Sequence, residues 1–432
     1  MNRQGGAGRE VTGISMVPGA WRALVLLAFV YALNIADRYV MSVLIEPIKA
    51  DLGLSDSSVA LLTGVALAVF YVTAGLPLAT LGDRVNRRNL VAASLAAWSL
   101  ATALCGLTRS FGQLLCARIL VGVGEAGGTP SSVSLISDFF PWRRRALALS
   151  LYSIGASVGS MIGSSAGYLS DKWGWRSALF VLGMPGVALA LALVMGIREP
   201  TRGQLDSAEA SMARSDLMDV LRYVVRTPAL VHCMIGGTLY TLWAWGLMWW
   251  TPSYLVRSHH MSVGAAGGAL SLMHGIGGTA VLILTSVVMK RMSKSDPRAV
   301  PRFLAIVCAV GTIPAVVAYS THSQATALAM LWLFIPLSYA TFGPSFALVQ
   351  NVVPPAMRAQ SQAILLFVGN VANLIIAPQI VGIVSDALMP HFGSESLRFA
   401  LLPLTVVGVW AAWHFWRSGR DVAEGLRRAK ST

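Results

Sequence analysis

The sequence predicts an all-α membrane protein of twelve transmembrane helices set as two six-helix bundles, and three observations predict it. Of 432 residues, 55% are hydrophobic and only 12% are charged, a composition that suits lipid rather than water as the surrounding solvent. Apolar runs long enough to cross about 30 Å of hydrocarbon recur along nearly the whole chain. Lys and Arg, finally, are sorted by loop parity instead of being spread evenly.

The runs fall at 21–44, 58–81, 89–108, 111–138, 144–169, 175–197, 229–256, 262–289, 300–320, 324–350, 359–387 and 397–416. Peptide groups find no water inside hydrocarbon, so runs of this length are helices, and the Gly and Pro within them mark close packing or kinks. Residues 1–20 carry Arg3 and Arg9 but no short apolar core with a cleavage site. The first run is therefore expected to stay as span one rather than leave as a signal peptide. Cys105, Cys116, Cys233 and Cys308 all fall inside spans and form no CxxC pair; they read as apolar filler, not as a disulfide framework or a metal site.

A formal net charge of +14 raises the question of nucleic acid. With residues at the ends of runs, such as Arg22 and Arg145, counted with the adjoining loop, the N-terminus, the even-numbered loops and the C-terminus hold 25 of the 33 Lys and Arg, the odd loops six. That sorting is the mark of a membrane topology with both ends in the cytoplasm, and it excludes a nucleic-acid surface, which would gather its basic residues on one face. The two left over, Arg38 and Arg118, sit within spans, where a charge is costly unless paired or hydrated.

After the sixth run the chain turns polar from Arg198 to Pro228, with Glu199, Asp206, Glu209, Arg214, Asp216 and Asp219 among its charges. This divides the chain into a tail (1–20), a bundle (21–197), a cytoplasmic linker (198–228), a second bundle (229–416) and a second tail (417–432). The halves echo each other. Pro141, Arg145 and Ala146 recur at Pro354, Arg358 and Ala359, an offset of 213; Gly-Tyr-Leu-Ser-Asp ending at Asp171 recurs as Gly-Ile-Val-Ser-Asp ending at Asp386, an offset of 215. Duplicated halves of like orientation predict a pseudo-twofold axis along the membrane normal and a solute site between them near mid-depth.

Within span four, Arg118 and Glu125 are seven residues apart, on one helical face and about 10 Å apart along the axis. Span one offers Asn34, Asp37 and Arg38; neighbouring residues differ by about 100° around a helix, so Asp37 and Arg38 are expected to face different ways. A carboxylate beside an arginine in a low-dielectric cavity can titrate as its partner moves, the requirement for proton coupling. Asp37 with Arg118 is the expected switch pair and Glu125 the second candidate proton carrier; the competing reading is fixed ion pairs that only hold helices together. Span seven is dense in aromatics, with Tyr240, Trp243, Trp245, Trp249, Trp250 and Tyr254, which read equally as a groove for an acyl chain or planar solute and, for Trp249 and Trp250, as an interfacial belt. His274, in a glycine-rich stretch of span eight, reads as a relay or as a packing histidine. Asn370 and Asn373, with Gln350 and Asn351, are secondary cavity candidates.

The loop after span two, Gly82-Asp83-Arg84-Val85-Asn86-Arg87-Arg88, resembles the signature loop of the major facilitator superfamily, although Ala79 and Asn86 stand where that signature often has glycine. More locally, Asn34 to Arg38, the run Arg118 to Ala126, Gly174-Trp-Arg176, Gly183-Met-Pro-Gly186, Trp250 to Arg257 and Val353-Pro with Arg358-Ala resemble the Spinster branch. The resemblance implies a major facilitator fold and alternating access driven by a proton gradient, with no other cofactor. It implies that Asp83, Arg84 and Arg88 with Asp138, joined by Arg145 and Arg358, form a charge cluster that closes the cytoplasmic gate. It also makes Asp37, Arg118 and Glu125 the functional charges. The expected cargo is a small amphipathic or anionic solute such as a lysophospholipid or sphingoid-type lipid, the alternatives being a compact organic acid or a drug. The expected setting is the inner membrane of a bacterium, among membrane lipids, as a functional monomer. No HExxH or P-loop is present, and the GxSxG spacings at Gly155–Gly159 and Gly163–Gly167 fall inside an apolar run rather than on a strand-to-helix turn, which argues against an embedded enzyme or an ATP-driven pump.

Overall fold

The computed structural model describes residues 16–202, 216–292 and 296–431. Arg3 and Arg9 and the linker charges Asp206, Glu209 and Arg214 lie outside them. Among the described residues the chain makes twelve spans: Ala20–Val43, 56–84, Arg87–Cys105, 111–139, 142–173, 175–196, 228–259, 263–292, Ala299–Ser320, 324–352, 358–392 and 396–431. Gly174, at φ 79° and ψ 160°, turns the chain between spans five and six, a conformation glycine adopts without strain. By length and mean hydropathy alone eight described stretches qualify as membrane-crossing, the longest, Pro355–Ala429, containing spans eleven and twelve. Spans three, four and seven do not qualify alone: three opens on Arg87 and Arg88, four is broken after Glu125, and seven is diluted by Trp and Tyr.

Spans one to six and seven to twelve each bury their own apolar core, one around Leu27, Val121 and Trp98, the other around Trp243, Tyr254 and Phe334. Asn86, the departure from the signature loop, caps span three, its side chain accepting from the Asn89 N–H at 3.0 Å, as asparagine does at helix starts. The repeat seen in sequence has a structural counterpart. Arg145 Nε donates to the Phe140 carbonyl at 3.0 Å and Arg358 Nε to the Val353 carbonyl at 3.4 Å, the same bond at an offset of 213.

Sequence periodicity missed several irregularities. Wide π-type turns occur at Leu61–Val65, Thr241–Trp245, Met273–Gly278 and Val371–Ile376, in spans two, seven, eight and eleven; such turns concentrate where helices bend around functional sites. A short helix, Ile45–Leu52, lies between spans one and two. The linker helix Leu217–Val225 docks on the second bundle through buried Val220 and Val224, and Tyr223 Oη donates to the Val352 carbonyl at 3.2 Å.

Candidate functional site

Two ion pairs join span one to span four inside the first bundle. Arg118, fully buried, donates through Nη1 to Asp37 Oδ2 at 2.8 Å, while Asp37 Oδ1 accepts from Thr102 Oγ1 of span three. One residue on, Arg38 donates through Nε (3.2 Å) and Nη2 (2.9 Å) to Glu125 Oε2. Asp37 and Arg38 thus reach the same neighbouring helix, against the expectation that they face apart. The reason is side-chain direction: helical side chains lean towards their own N-terminus, so the long Arg38 bends back to Glu125, a turn or more nearer the chain termini than Arg118.

The arginines of the two pairs differ in access. The Arg118 side chain has no exposed surface, whereas Arg38 keeps 15% and lies with its guanidinium carbon 5.3 Å from the centre of the Tyr71 ring; both carboxylates are buried, Asp37 at 5% and Glu125 at 0%. Tyr31 and Tyr152 stack beside it at 4.7 Å. Glu125 Oε1 and Tyr152 Oη are buried without a hydrogen-bond partner. Asn34 is buried, 4% exposed, on the same span. The glycines of span four let it pack closely on span three: a Cβ on Gly124 would stand 2.8 Å from the Trp98 backbone nitrogen, and one on Gly128 3.0 Å from its ring.

Across from this, the second bundle presents neutral groups. His274 is buried and shares a hydrogen bond with Tyr339 Oη at 3.0 Å; Tyr339 donates to Ser160 Oγ of the first bundle at 3.2 Å, and the Tyr39 ring meets His274 edge-on at 4.8 Å. Trp243 lies inside the second bundle against Phe334, Gly311 and Gly408, and Tyr240 donates to the Ser338 carbonyl; these two expected cavity residues pack the bundle interior. Trp249 and Trp250 are likewise buried and form no lipid-facing belt, a role open instead to Trp410, Trp413 and Trp416, which are about half exposed. Asn370 and Asn373 are partly buried, Asn373 Oδ1 without a partner.

Near the termini the described residues show charge contacts centred on Arg87, which the sequence expectation did not include. Asp138 pairs with Arg87 Nη1 at 2.5 Å, and Arg87 also donates to Ser134 Oγ and to Glu199 Oε1, both at 2.8 Å. Arg88 instead closes the end of span six, donating to the Val194 and Ile197 carbonyls, and Arg84 is exposed. The side chain of Asp83 lies outside the described residues. Arg87 was passed over because in sequence it looks like ordinary positive charge on a loop; its spacing offered no signal.

At the end away from the termini the bundles are tied together. Arg257 of span seven contacts Asp56 through Nη1 (2.7 Å) and Nη2 (2.5 Å) and Glu46 through Nε (2.9 Å); Lys49 also reaches Asp56. Spans five and eight touch from Asp171–Gly264 inward to Ser157–Thr279, and a Cβ on Gly64 would stand 2.1 Å from the Leu374 carbonyl oxygen. Sequence reading passed over Arg257 and Asp56 because their partners lie about 200 residues away in the chain.

Residues 27–377 match the Major Facilitator Superfamily. The chain is 31% identical to an MFS-type efflux pump of Mycolicibacterium smegmatis, covering 94% of this chain and 95% of the relative. It is 28% identical to protein spinster homolog 1 of Homo sapiens, covering 98% and 84%. Its structure superposes on the crystal structure of a bacterial homolog of the human lysosomal transporter Spinster, in an inward-facing and unoccupied conformation, with a TM-score of 0.82 at 25% identity over 95% of this chain and 99% of that one. With twelve spans in two repeated bundles and a charged first bundle facing a neutral second one, the chain belongs to the major facilitator superfamily, as a Spinster-like secondary transporter.

Proposed function

We propose that this transporter couples the proton gradient across a bacterial inner membrane to movement of an amphipathic anion, such as a lysophospholipid or sphingoid-type lipid, working as a monomer. The carrying observation is the Arg38–Glu125 pair: Arg38 is partly exposed over Tyr71, and Glu125 has one oxygen without a partner. A proton taken up by Glu125 removes the charge that holds Arg38, whose guanidinium then takes the anionic head of the solute; Tyr31, Tyr71 and Tyr152 supply rings along which an apolar part lies. The sequence made Asp37 with Arg118 the switch pair. The full burial of Arg118 and the Thr102 bond to Asp37 suit that pair better to holding span one on spans three and four, and the moving pair is assigned to Glu125 and the part-exposed Arg38. With the basic loops and both termini in the cytoplasm, the tied end is periplasmic and the conformation is inward-facing.

A second reading, export of drugs, rests on the likeness to the mycobacterial efflux pump. The experiment uses proteoliposomes with an imposed pH gradient and three solutes, a lysophospholipid, an aromatic carboxylate and a cationic drug. One proton coupled across one pH unit supports about tenfold accumulation. Wild type should show it for the lysophospholipid, and Glu125→Gln should lose it while still equilibrating the solute. Gradient-driven accumulation by Glu125→Gln equal to wild type would refute the assignment, and a response to cationic drugs alone would favour the second reading.

A further inference from the structure

The repeated pentapeptides Gly167-Tyr-Leu-Ser-Asp171 and Gly382-Ile-Val-Ser-Asp386 have no part in the solute site, yet each does the same thing in the structure. Span eight opens with Ser262 as its own cap, the hydroxyl accepting from the Ala265 N–H at 3.1 Å. That leaves other N–H groups of the first turn without an intrahelical acceptor, and Asp171 Oδ2, from the other bundle, accepts from the Gly264 N–H at 2.8 Å. Span two opens the same way. Ser55 accepts from Ser58 N–H at 3.1 Å, and Asp386 accepts from the Asp56 and Ser57 N–H groups through Oδ1 and Oδ2, both at 2.8 Å.

The glycine that starts each pentapeptide makes the approach possible. A Cβ on Gly167 would stand 2.2 Å from the Val263 carbonyl oxygen, and one on Gly382 would stand 2.9 Å from that of Asp56. Glycine admits the incoming helix end and aspartate, four residues on and so on the same face, caps it. A carboxylate there also meets the positive end of the helix dipole. The two copies are unequal. Asp386 uses both oxygens, and its neighbour Ser385 donates to Asp56 Oδ2 at 2.7 Å; Asp171 uses one oxygen and is exposed.

We propose that the pentapeptides are reciprocal latches: the fifth span of each bundle caps the second span of the other, and these caps set the balance between the state closed at the end away from the termini and the state open there. This rests on the alternating-access reading above. The test is a distance measurement by pulsed electron resonance on the full chain in lipid nanodiscs, with spin labels at Arg109→Cys and Gln324→Cys, exposed sites on the two bundles at that end, and Cys116→Ser to remove the exposed native thiol.

Asp386→Ala should raise the open-to-closed ratio about fivefold, the equilibrium equivalent of losing one helix cap, and Asp171→Ala by about half that factor or less. Asp171→Asn should stay near wild type, because the amide oxygen can still accept the single bond, whereas Asp386→Asn gives up one of two acceptors and should fall between wild type and alanine. An unchanged ratio in the alanine variants, with both populations visible in wild type, overturns the latch alone. A single distance in every variant defeats the alternating-access reading and the latch with it. The asparagine variants guard against misfolding, since a merely damaged protein would not order itself by acceptor count.

Discussion

The two bundles share an architecture at an offset of 213 but fill it with different chemistry. Arg118 and Glu125 of span four correspond to Leu331 and Ser338 of span ten, where Leu331 is fully buried and the Ser338 carbonyl accepts from Tyr240. The packing is inverted as well. In the first bundle a large residue on span three, Trp98, meets a small one on span four, Gly124; in the second the small residue is on span nine, Gly311, and the large one on span ten, Leu337. The repeat therefore fixed helix directions and the ends that meet across the bundles, while each mid-depth core evolved on its own terms. Mid-depth charge was kept in one bundle, and the second bundle presents neutral His274 and Tyr339.

The difference breaks most sharply at Arg118. Arg118→Leu gives span four the residue its counterpart carries, but leaves Asp37 buried with only Thr102 as partner. Removing one member of a buried pair costs about 3–5 kcal/mol, and thermal unfolding in detergent should register a loss of that order. The double variant Arg118→Leu with Asp37→Asn removes the stranded charge while keeping an acceptor for Thr102, and should recover most of the loss. Equal losses in the single and double variants would mean that the pair is not coupled and that the first bundle is no more charge-dependent than the second.

The sequence carried the helical architecture, the duplication and one of the two mid-depth ion pairs in outline, because these are written in local apolar runs and in ionisable residues whose burial is expensive. Asp37 with Arg118 could be paired from type and position alone. Arg38 with Glu125 could not: helical angles separate Arg38 from Asp37, and only the backward lean and length of the arginine side chain bring both to span four. The Arg87–Asp138–Glu199 cluster was hidden for a different reason. Arg84, Arg87 and Arg88 are equivalent as loop charges, and which one turns inward depends on the packing of spans three, four and six. Span seven misled in the opposite direction, since its aromatics advertise a groove but Trp243, Trp249, Trp250 and Tyr254 are core.

The inverted packing gives a smaller contrast. Gly124→Ala places a methyl group against the backbone of Trp98, which cannot give way without moving span three, and shifts Glu125 on the next position. Overpacking of this kind costs about 1–3 kcal/mol. Gly311→Ala meets the outer edge of the Trp243 ring at 3.1 Å, a contact that can relax by a small ring tilt, and should cost less. Thermal unfolding compares the two, and the pH-gradient assay adds a second readout, because only Gly124→Ala should disturb coupling. Equal effects in both measurements would show that the two bundles tolerate crowding alike.

The smallest expected effect separates bonds within a bundle from bonds between bundles. Tyr240→Phe loses one hydrogen bond to the Ser338 carbonyl, inside the second bundle. Tyr339→Phe loses the bonds to His274 and to Ser160, and the second of these crosses to the first bundle. Each net bond contributes about 1 kcal/mol, so unfolding temperatures should fall slightly in both. The Arg109–Gln324 label distance should move only in Tyr339→Phe, since that variant alone weakens the closed arrangement of the bundles. A shift of equal size in Tyr240→Phe would mean that the neutral layer acts as one rigid body with the bundle behind it, and that the boundary between the two chemistries lies at span one rather than at Tyr339.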